Sequence, residues 1–223
     1  MERHFENDLR ELKERILVMG GYAEKAIEEA TNILILRDAS RIHRVYEHER
    51  HIDMAHIDVD EACLRLIARQ APMGSDLRLL LAVIKINTDL ERMGDQAVNI
   101  AQNGELYLAQ PAIGDLQSLN LMASKVRGQV RKALDAFVRS DLVLANQVIR
   151  DDDEIDQMKN QHLKKFISVM QSSPNLIDAA LDLILIARNL ERLGDHATNI
   201  AEDVIFYISG EDIRHKRSRE AAK

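Results

Sequence analysis

The sequence predicts an all-α protein made of two tandem, pseudo-repeated three-helix bundles, six long helices in all. Three observations carry this prediction. Apolar residues recur at three- and four-residue steps along most of the chain. Pro and Gly interrupt that pattern in only a few short clusters. Asp89-Leu-Glu-Arg-Met-Gly-Asp-Gln-Ala-Val-Asn-Ile-Ala101 also returns one hundred residues later as Asn189-Leu-Glu-Arg-Leu-Gly-Asp-His-Ala-Thr-Asn-Ile-Ala201, with nine of thirteen positions identical. The composition agrees: Leu, Ala, Ile, Arg, Glu and Asp favour helices, and 4% aromatics with three prolines fit a sandwich or barrel poorly.

The first stripe is Phe5, Leu9, Leu12, Ile16, Met19, Ala23, Ala26 and Ala30. A second helix over about 40–69 carries Ile42, Val45, Ile52, Ile57 and Leu64 and is broken by Ala71-Pro72-Met73-Gly74. Ser75 or Asp76 is the expected cap of a third helix reaching about Leu108. Pro111 and Gly114 then mark the boundary between a first unit, 1–110, and a second, 115–210. Leu119, Val126, Val130, Leu134 and Phe137 open the second unit. A fifth helix over about 141–170 follows, then the Ser172-Ser173-Pro174 break, then a sixth helix from Asn175 to about Ile208, with Gly210 as its stop. The basic stretch Arg214-His215-Lys216-Arg217-Ser218-Arg219 has no apolar partner, so 211–223 is expected to be a solvated, flexible tail.

A formal net charge of −7 argues against a generic nucleic-acid binder, which needs a basic surface. Cys63 stands alone, so no intrachain disulfide forms, in keeping with a reducing compartment. Residues 1–15 are charged throughout and lack the apolar stretch of a signal peptide. No run of about 18–20 uncharged apolar residues occurs, so no membrane insertion is expected. The expected location is the cytoplasm, with peripheral association with membrane complexes at most.

The chemistry concentrates in acidic pairs. Glu91 and Asp95, and Glu191 and Asp195, lie four apart, one turn from each other on one helix face. Between them stand Gly94 and Gly194, each costing roughly 1 kcal/mol against Ala in a helix interior. Retention of that combination in both copies points to a compensating role, close helix approach or a cation. The preceding helices supply Glu49 with Asp53 and Asp152 with Asp156, again four apart. In an antiparallel hairpin, facing residues share a constant sum of residue numbers. Glu49/Asp95 and Asp53/Glu91 both total 144, which places the turn at Pro72. Asp152/Asp195 and Asp156/Glu191 both total 347, which places it at Ser173 and Pro174. Each hairpin therefore sets four carboxylates at one level. On a helical wheel, Leu79, Leu90, Met93 and Ala97 centre the apolar face, and Glu91 and Asp95 fall roughly 100–140° away on its shoulder, with Gln102 beside them.

Four such carboxylates either repel or recruit positive charge, and hard oxygen ligands suit Mg²⁺, Mn²⁺, Ca²⁺ or iron. Two divalent ions would neutralise four carboxylates, so a polynuclear site is chemically sensible. The bland alternative is a solvated face with Arg50, Arg92 and Arg192 as partners. Asn99 and Asn199, one turn on, fit helper ligands and ordinary polar positions equally well. No Glu-x-x-His pair of the di-iron type occurs, Asp53-x-x-His56 being the nearest approach, and His48, His51 and His56 read as a surface cluster. Nucleophile motifs and phosphate-binding Gly-rich loops are lacking too, so spacing alone gives a metal-binding helical scaffold.

The doubled Glu-Arg-(Met/Leu)-Gly-Asp segment resembles the PhoU family of phosphate-transport accessory and regulatory proteins. So do the upstream acidic pairs, the segment Asp60 to Arg78, and the ending Ile205-Phe-Tyr-Ile-Ser-Gly-Glu-Asp-Ile-Arg-His215. The resemblance spans nearly the whole chain. It implies paired three-helix bundles with clusters of divalent or trivalent ions (iron, magnesium, manganese or zinc) at Glu49, Asp53, Glu91 and Asp95, and at Asp152, Asp156, Glu191 and Asp195. It further implies a non-enzymatic adaptor that represses the phosphate-starvation regulon and restrains uptake. Such an adaptor couples the ATPase subunit of the phosphate ABC transporter to a membrane sensor histidine kinase. A homodimer is expected. The first copy carries Gln102 where the second carries Glu202, a further helper candidate, which predicts a weaker first site. The competing expectation is a carboxylate-bridged metalloenzyme or a metal-storage bundle.

Overall fold

The computed structural model describes residues 2–114 and 116–213, with side chains from Phe5. Six helices follow one another: α1 Glu2–Ile35, α2 Ile42–Gln70, α3 Ser75–Leu108, α4 Gln117–Arg139, α5 Leu142–Ser172 and α6 Ile177–Ser209. Short 3₁₀ turns at Ala39–Arg41 and Pro174–Leu176 lead into α2 and α6. There are no strands among the described residues. The basic stretch 214–219 lies outside them.

The stops have local causes. α2 ends where Ala71 adopts a left-handed φ of 43° and its N–H returns to the Ile67 carbonyl. α6 ends at Gly210, φ 77°, where a glycine pays no Cβ penalty. Asp141 caps α5, its carboxylate accepting from the N–H groups of Val143 (2.9 Å) and Leu144 (3.0 Å). The expected cap of α3 differs: Gly74 takes the cap position without a side-chain hydrogen bond, and Ser75 and Asp76 fall inside the first turn.

The stripes read from the sequence are buried for α3 and α4, and for α1 from Leu12 onward, with Phe5 and Leu9 half-buried. In α2 the stripe needs correction. Ile57 and Leu64 are 60% and 64% exposed, and the buried line is Val45, Ile52, Val59 and Cys63. Seven-residue steps keep one face inward, whereas the step from Ile52 to Ile57 rotates away by about 140°. Burial and Asp60 push the Cys63 thiol up to about 12, so it packs as a small apolar group.

α1, α2 and α3 form one bundle, and α4, α5 and α6 the other. The two share one continuous core, because α3 lies along α6 and α1 along α4. A Cβ at Gly20 would collide with the Leu134 side chain, so this glycine sets how closely α1 approaches α4. The joint also holds polar contacts: Lys85 Nζ donates to Asp203 (2.9 Å), and Arg78 Nε donates to the Tyr207 carbonyl (3.3 Å). Between the bundles, the Ile113 N–H donates to the Tyr107 hydroxyl (3.0 Å), folding the connection back onto α3. α2 and α5 touch only their own bundle, so each acid-bearing hairpin keeps an outer face.

Candidate metal centres

Each hairpin brings its four predicted carboxylates to one level. In the first, an added Cβ at Gly94 would lie 3.2 Å from Ile52 Cδ1 and 3.7 Å from Glu49 Cγ. In the second, a Cβ at Gly194 would lie 3.2 Å from Gln129 Oε1, 3.3 Å from Asp152 Oδ1 and 3.4 Å from Ile155 Cδ1. The repeated glycines thus sit where the hairpin helices close on each other, directly beside an acidic side chain. Close approach accounts for them, offsetting their helix cost.

The carboxylates of a cluster feel one another. Burial raises the Glu49 carboxyl above its ordinary range, and Asp53, Asp95 and Glu91 raise it further against the pull of Arg50. Glu91 is raised by burial and then by Asp95 and Asp53, with His56 and Arg92 opposing. Asp95 is raised by burial and Asp53. In the second cluster Asp195 rises to about 6, through burial and then Glu191, Asp152 and Asp156, with His196 opposing. Glu49, Glu91, Asp152 and Glu191 are half-buried, whereas Asp53, Asp95, Asp156 and Asp195 reach the surface. Both clusters are open shoulders of a core stripe.

The remaining sequence candidates are placed as follows. Asn199 Nδ2 donates to Asp89 of α3 (3.2 Å). The Asn99 carbonyl accepts from Asn103 (2.6 Å). Gln102 Nε2 donates to the Tyr46 hydroxyl (3.2 Å), and Glu202 is half-buried on α6. His51 stacks on Tyr22 at 4.6 Å. The arginines offered as partners form no salt bridge with these acids among the described residues.

Two neighbours of the second cluster were not predicted. Lys159 Nζ bridges Glu191 Oε1 (2.6 Å) and Asp156 Oδ1 (3.0 Å). Gln129 of α4, 3% exposed, donates to the Val148 carbonyl (3.1 Å) and to Asp152 Oδ1 (3.3 Å), while its Oε1 is buried with no partner. Lys159 could have been found by aligning α5 on α2, where it stands opposite His56. Gln129 interrupts the α4 apolar stripe at the position Ala26 holds in α1.

The donor chemistry fits a hard cation: all-oxygen clusters whose carboxyls burial and mutual repulsion raise above their ordinary range, and a buried amide oxygen without a partner at the second. Among the described residues, however, no three His, Cys, Asp or Glu side chains already converge on one point. An ion would have to draw the carboxylates inward.

Fold and site define a class: a duplicated helical-hairpin protein whose repeats each carry an acidic cluster on an outer shoulder. The profile described as the PhoU domain matches residues 16–104 and 119–204, one match per bundle. The chain belongs to the PhoU family. It is 37% identical over 216 residues, 96% of this chain and 84% of the relative, to a "Phosphate-specific transport system accessory protein PhoU homolog" of Pseudomonas putida. To the accessory protein PhoU of Escherichia coli K12 it is 31% identical, over 98% of this chain and 91% of the relative. The crystal structure of PhoU from Pseudomonas aeruginosa matches with a TM-score of 0.89 at 35% identity, covering 93% of this chain and all of that one. That of the phosphate transport system regulatory protein PhoU from Streptococcus pneumoniae gives 0.87 at 26%, over 94% and 99%.

Proposed function

We propose that this chain is a non-enzymatic regulatory adaptor of a phosphate-specific transport system. It acts in the cytoplasm, as a homodimer, on the ATPase subunit of the phosphate ABC transporter and on a membrane sensor histidine kinase. It holds the phosphate-starvation regulon and high-affinity uptake down when phosphate is plentiful. The single observation that carries this reading is the match, along nearly the whole length of both chains, to accessory proteins of that system. No helix among the described residues is long and apolar enough to cross a membrane, so contact with membrane partners would run through helical surfaces.

The residues that would hold metal are Glu49, Asp53, Glu91 and Asp95 in the first bundle and Asp152, Asp156, Glu191 and Asp195 in the second. A bound cation supplies positive charge that neutralises the acids and ties α2 to α3 or α5 to α6. Because half of each acid set reaches the surface, occupancy sets the charge of the outer hairpin face. The experiment is deletion of the gene and measurement of phosphatase expression in high phosphate. Constitutive expression is the expected result, and normal repression would sink the adaptor. Metal content is checked on protein purified without chelator: Asp95→Ala combined with Asp195→Ala should remove the bound metal.

A further inference from the structure

The two acidic clusters differ at several matched positions, and one of these differences places a full positive charge inside the second cluster. α5 aligns on α2 with Asp152 on Glu49, Ile155 on Ile52 and Asp156 on Asp53, which puts Lys159 on His56. Lys159 turns its ammonium into the second cluster, onto Glu191 and Asp156, and its side chain is only 26% exposed. His56 makes its only ion-pair contact among the described residues outside the cluster, its Nε2 lying 3.4 Å from Asp60 Oδ2, and acts on Glu91 through space without bonding it. Glu49, Asp53, Glu91 and Asp95 form no salt bridge among the described residues. Arg50 and Arg92 stand exposed at the rim of the first cluster, and Arg192 and the half-buried His196 at the rim of the second.

We propose that Lys159 is a tethered counter-cation of the second cluster, occupying in the metal-free protein the place between Asp156 and Glu191 that a divalent ion would take. A metal must then expel the ammonium, and the first cluster, with no such occupant, loads at lower metal concentration. The inference rests on the metal-binding reading above. The physical ground is direct. A cation in contact with two of four carboxylates weakens the field available to an incoming ion, and moving it out breaks two charge-assisted hydrogen bonds. This order reverses the one read from Gln102 and Glu202 alone. Gln102 is engaged with Tyr46, and Glu202 stands seven residues beyond Asp195, whereas Lys159 bonds the cluster itself.

The test is a calorimetric titration of the full, metal-stripped chain with Mn²⁺, with free Mn²⁺ followed by its paramagnetic resonance signal. Two affinity classes are expected. Asp95→Ala removes the tight class and Asp195→Ala the weak one. Lys159→Gln tightens the weak class roughly ten- to a hundredfold, the scale of one neighbouring charge removed, while Lys159→Arg keeps it weak. Circular-dichroism melts in chelator check that each variant folds. Should Lys159→Gln not fold, Lys159→His, which installs the residue of the first cluster, is read in the same way. Mn²⁺ binding that ignores the loss of Lys159, or a tight class abolished by Asp195→Ala, overturns this inference and leaves the metal-binding reading standing. Absence of Mn²⁺ binding in wild type and variants alike overturns both.

Discussion

The two outer hairpins share a plan and differ in how each copes with four acids. The first leaves its carboxylates without an ion pair among the described residues, has three of them raised above their ordinary range by burial and mutual repulsion, and engages His56 with Asp60. The second supplies its own cation in Lys159 and its own buried amide in Gln129. Duplication copied a geometry, and the copies then solved the same electrostatic problem separately. Matched backbones at matched glycines therefore do not guarantee matched sites.

Packing offers the largest effect by which to break this comparison. At Gly194 an added side chain meets the amide oxygen of Gln129 and the carboxylate of Asp152, which cannot withdraw without losing their hydrogen bond; at Gly94 it meets chiefly the Ile52 methyl, which can rotate. In denaturant titrations we expect Gly194→Leu to cost about 3 kcal/mol and Gly94→Leu about 2 kcal/mol, the range for overpacking a close contact. Equal losses would mean that the hairpins pack alike after all.

A smaller effect sharpens the charge difference. In chelator, Lys159→Gln should lower stability by about 1–2 kcal/mol, because Glu191 is left half-buried without its cation. The matched His56→Gln should stay within about 0.5 kcal/mol. A larger loss at His56 would place the structural cation in the wrong repeat.

The smallest effect is a pH slope. The Asp195 carboxyl titrates near 6 in the folded chain against an ordinary 3.8, so between those values the folded state holds more proton than the unfolded. Its contribution is stabilising at the acid end and is lost as pH rises through about 6. Since Asp195 reaches the surface, about 1 kcal/mol is expected after allowance for solvent screening. The readout is the difference between wild type and Asp195→Asn in chelator across pH 4.5–7.5. Wild type should lose ground to the variant as pH rises, and a wild type that gains on the variant, or a difference that stays constant, would refute the assignment.

Much of this was legible in the sequence because helical hairpins convert arithmetic into proximity. The constant sums located both turns, and the wheel put Glu91 and Asp95 on a shoulder, where the structure has Glu91 half-buried and Asp95 exposed. What failed to show came from a third direction. Gln129 reaches the second cluster from α4, a helix outside the hairpin, and no sum relates it to the acids. Lys159 looked like any lysine three residues after an aspartate, a common pairing on solvated helices. Ile57 and Leu64 were misplaced because apolar type was weighed above angular position. The arginines, partners in the alternative of a solvated face, are exposed.

Along the central joint, Asp89 of α3, 6% exposed, receives His196 Nδ1 at 2.8 Å and Asn199 at 3.2 Å from α6. The pseudo-equivalent positions are Asn189 and Gln96, and the Gln96 amide oxygen is buried without a partner. A pair of first repeats would thus set Asp89 against Gln96, and a pair of second repeats would set His196 against Asn189. Neither rebuilds the carboxylate–imidazole contact. The carboxylate–imidazole contact is therefore one that only unlike halves can make, and it favours their pairing over that of two like halves.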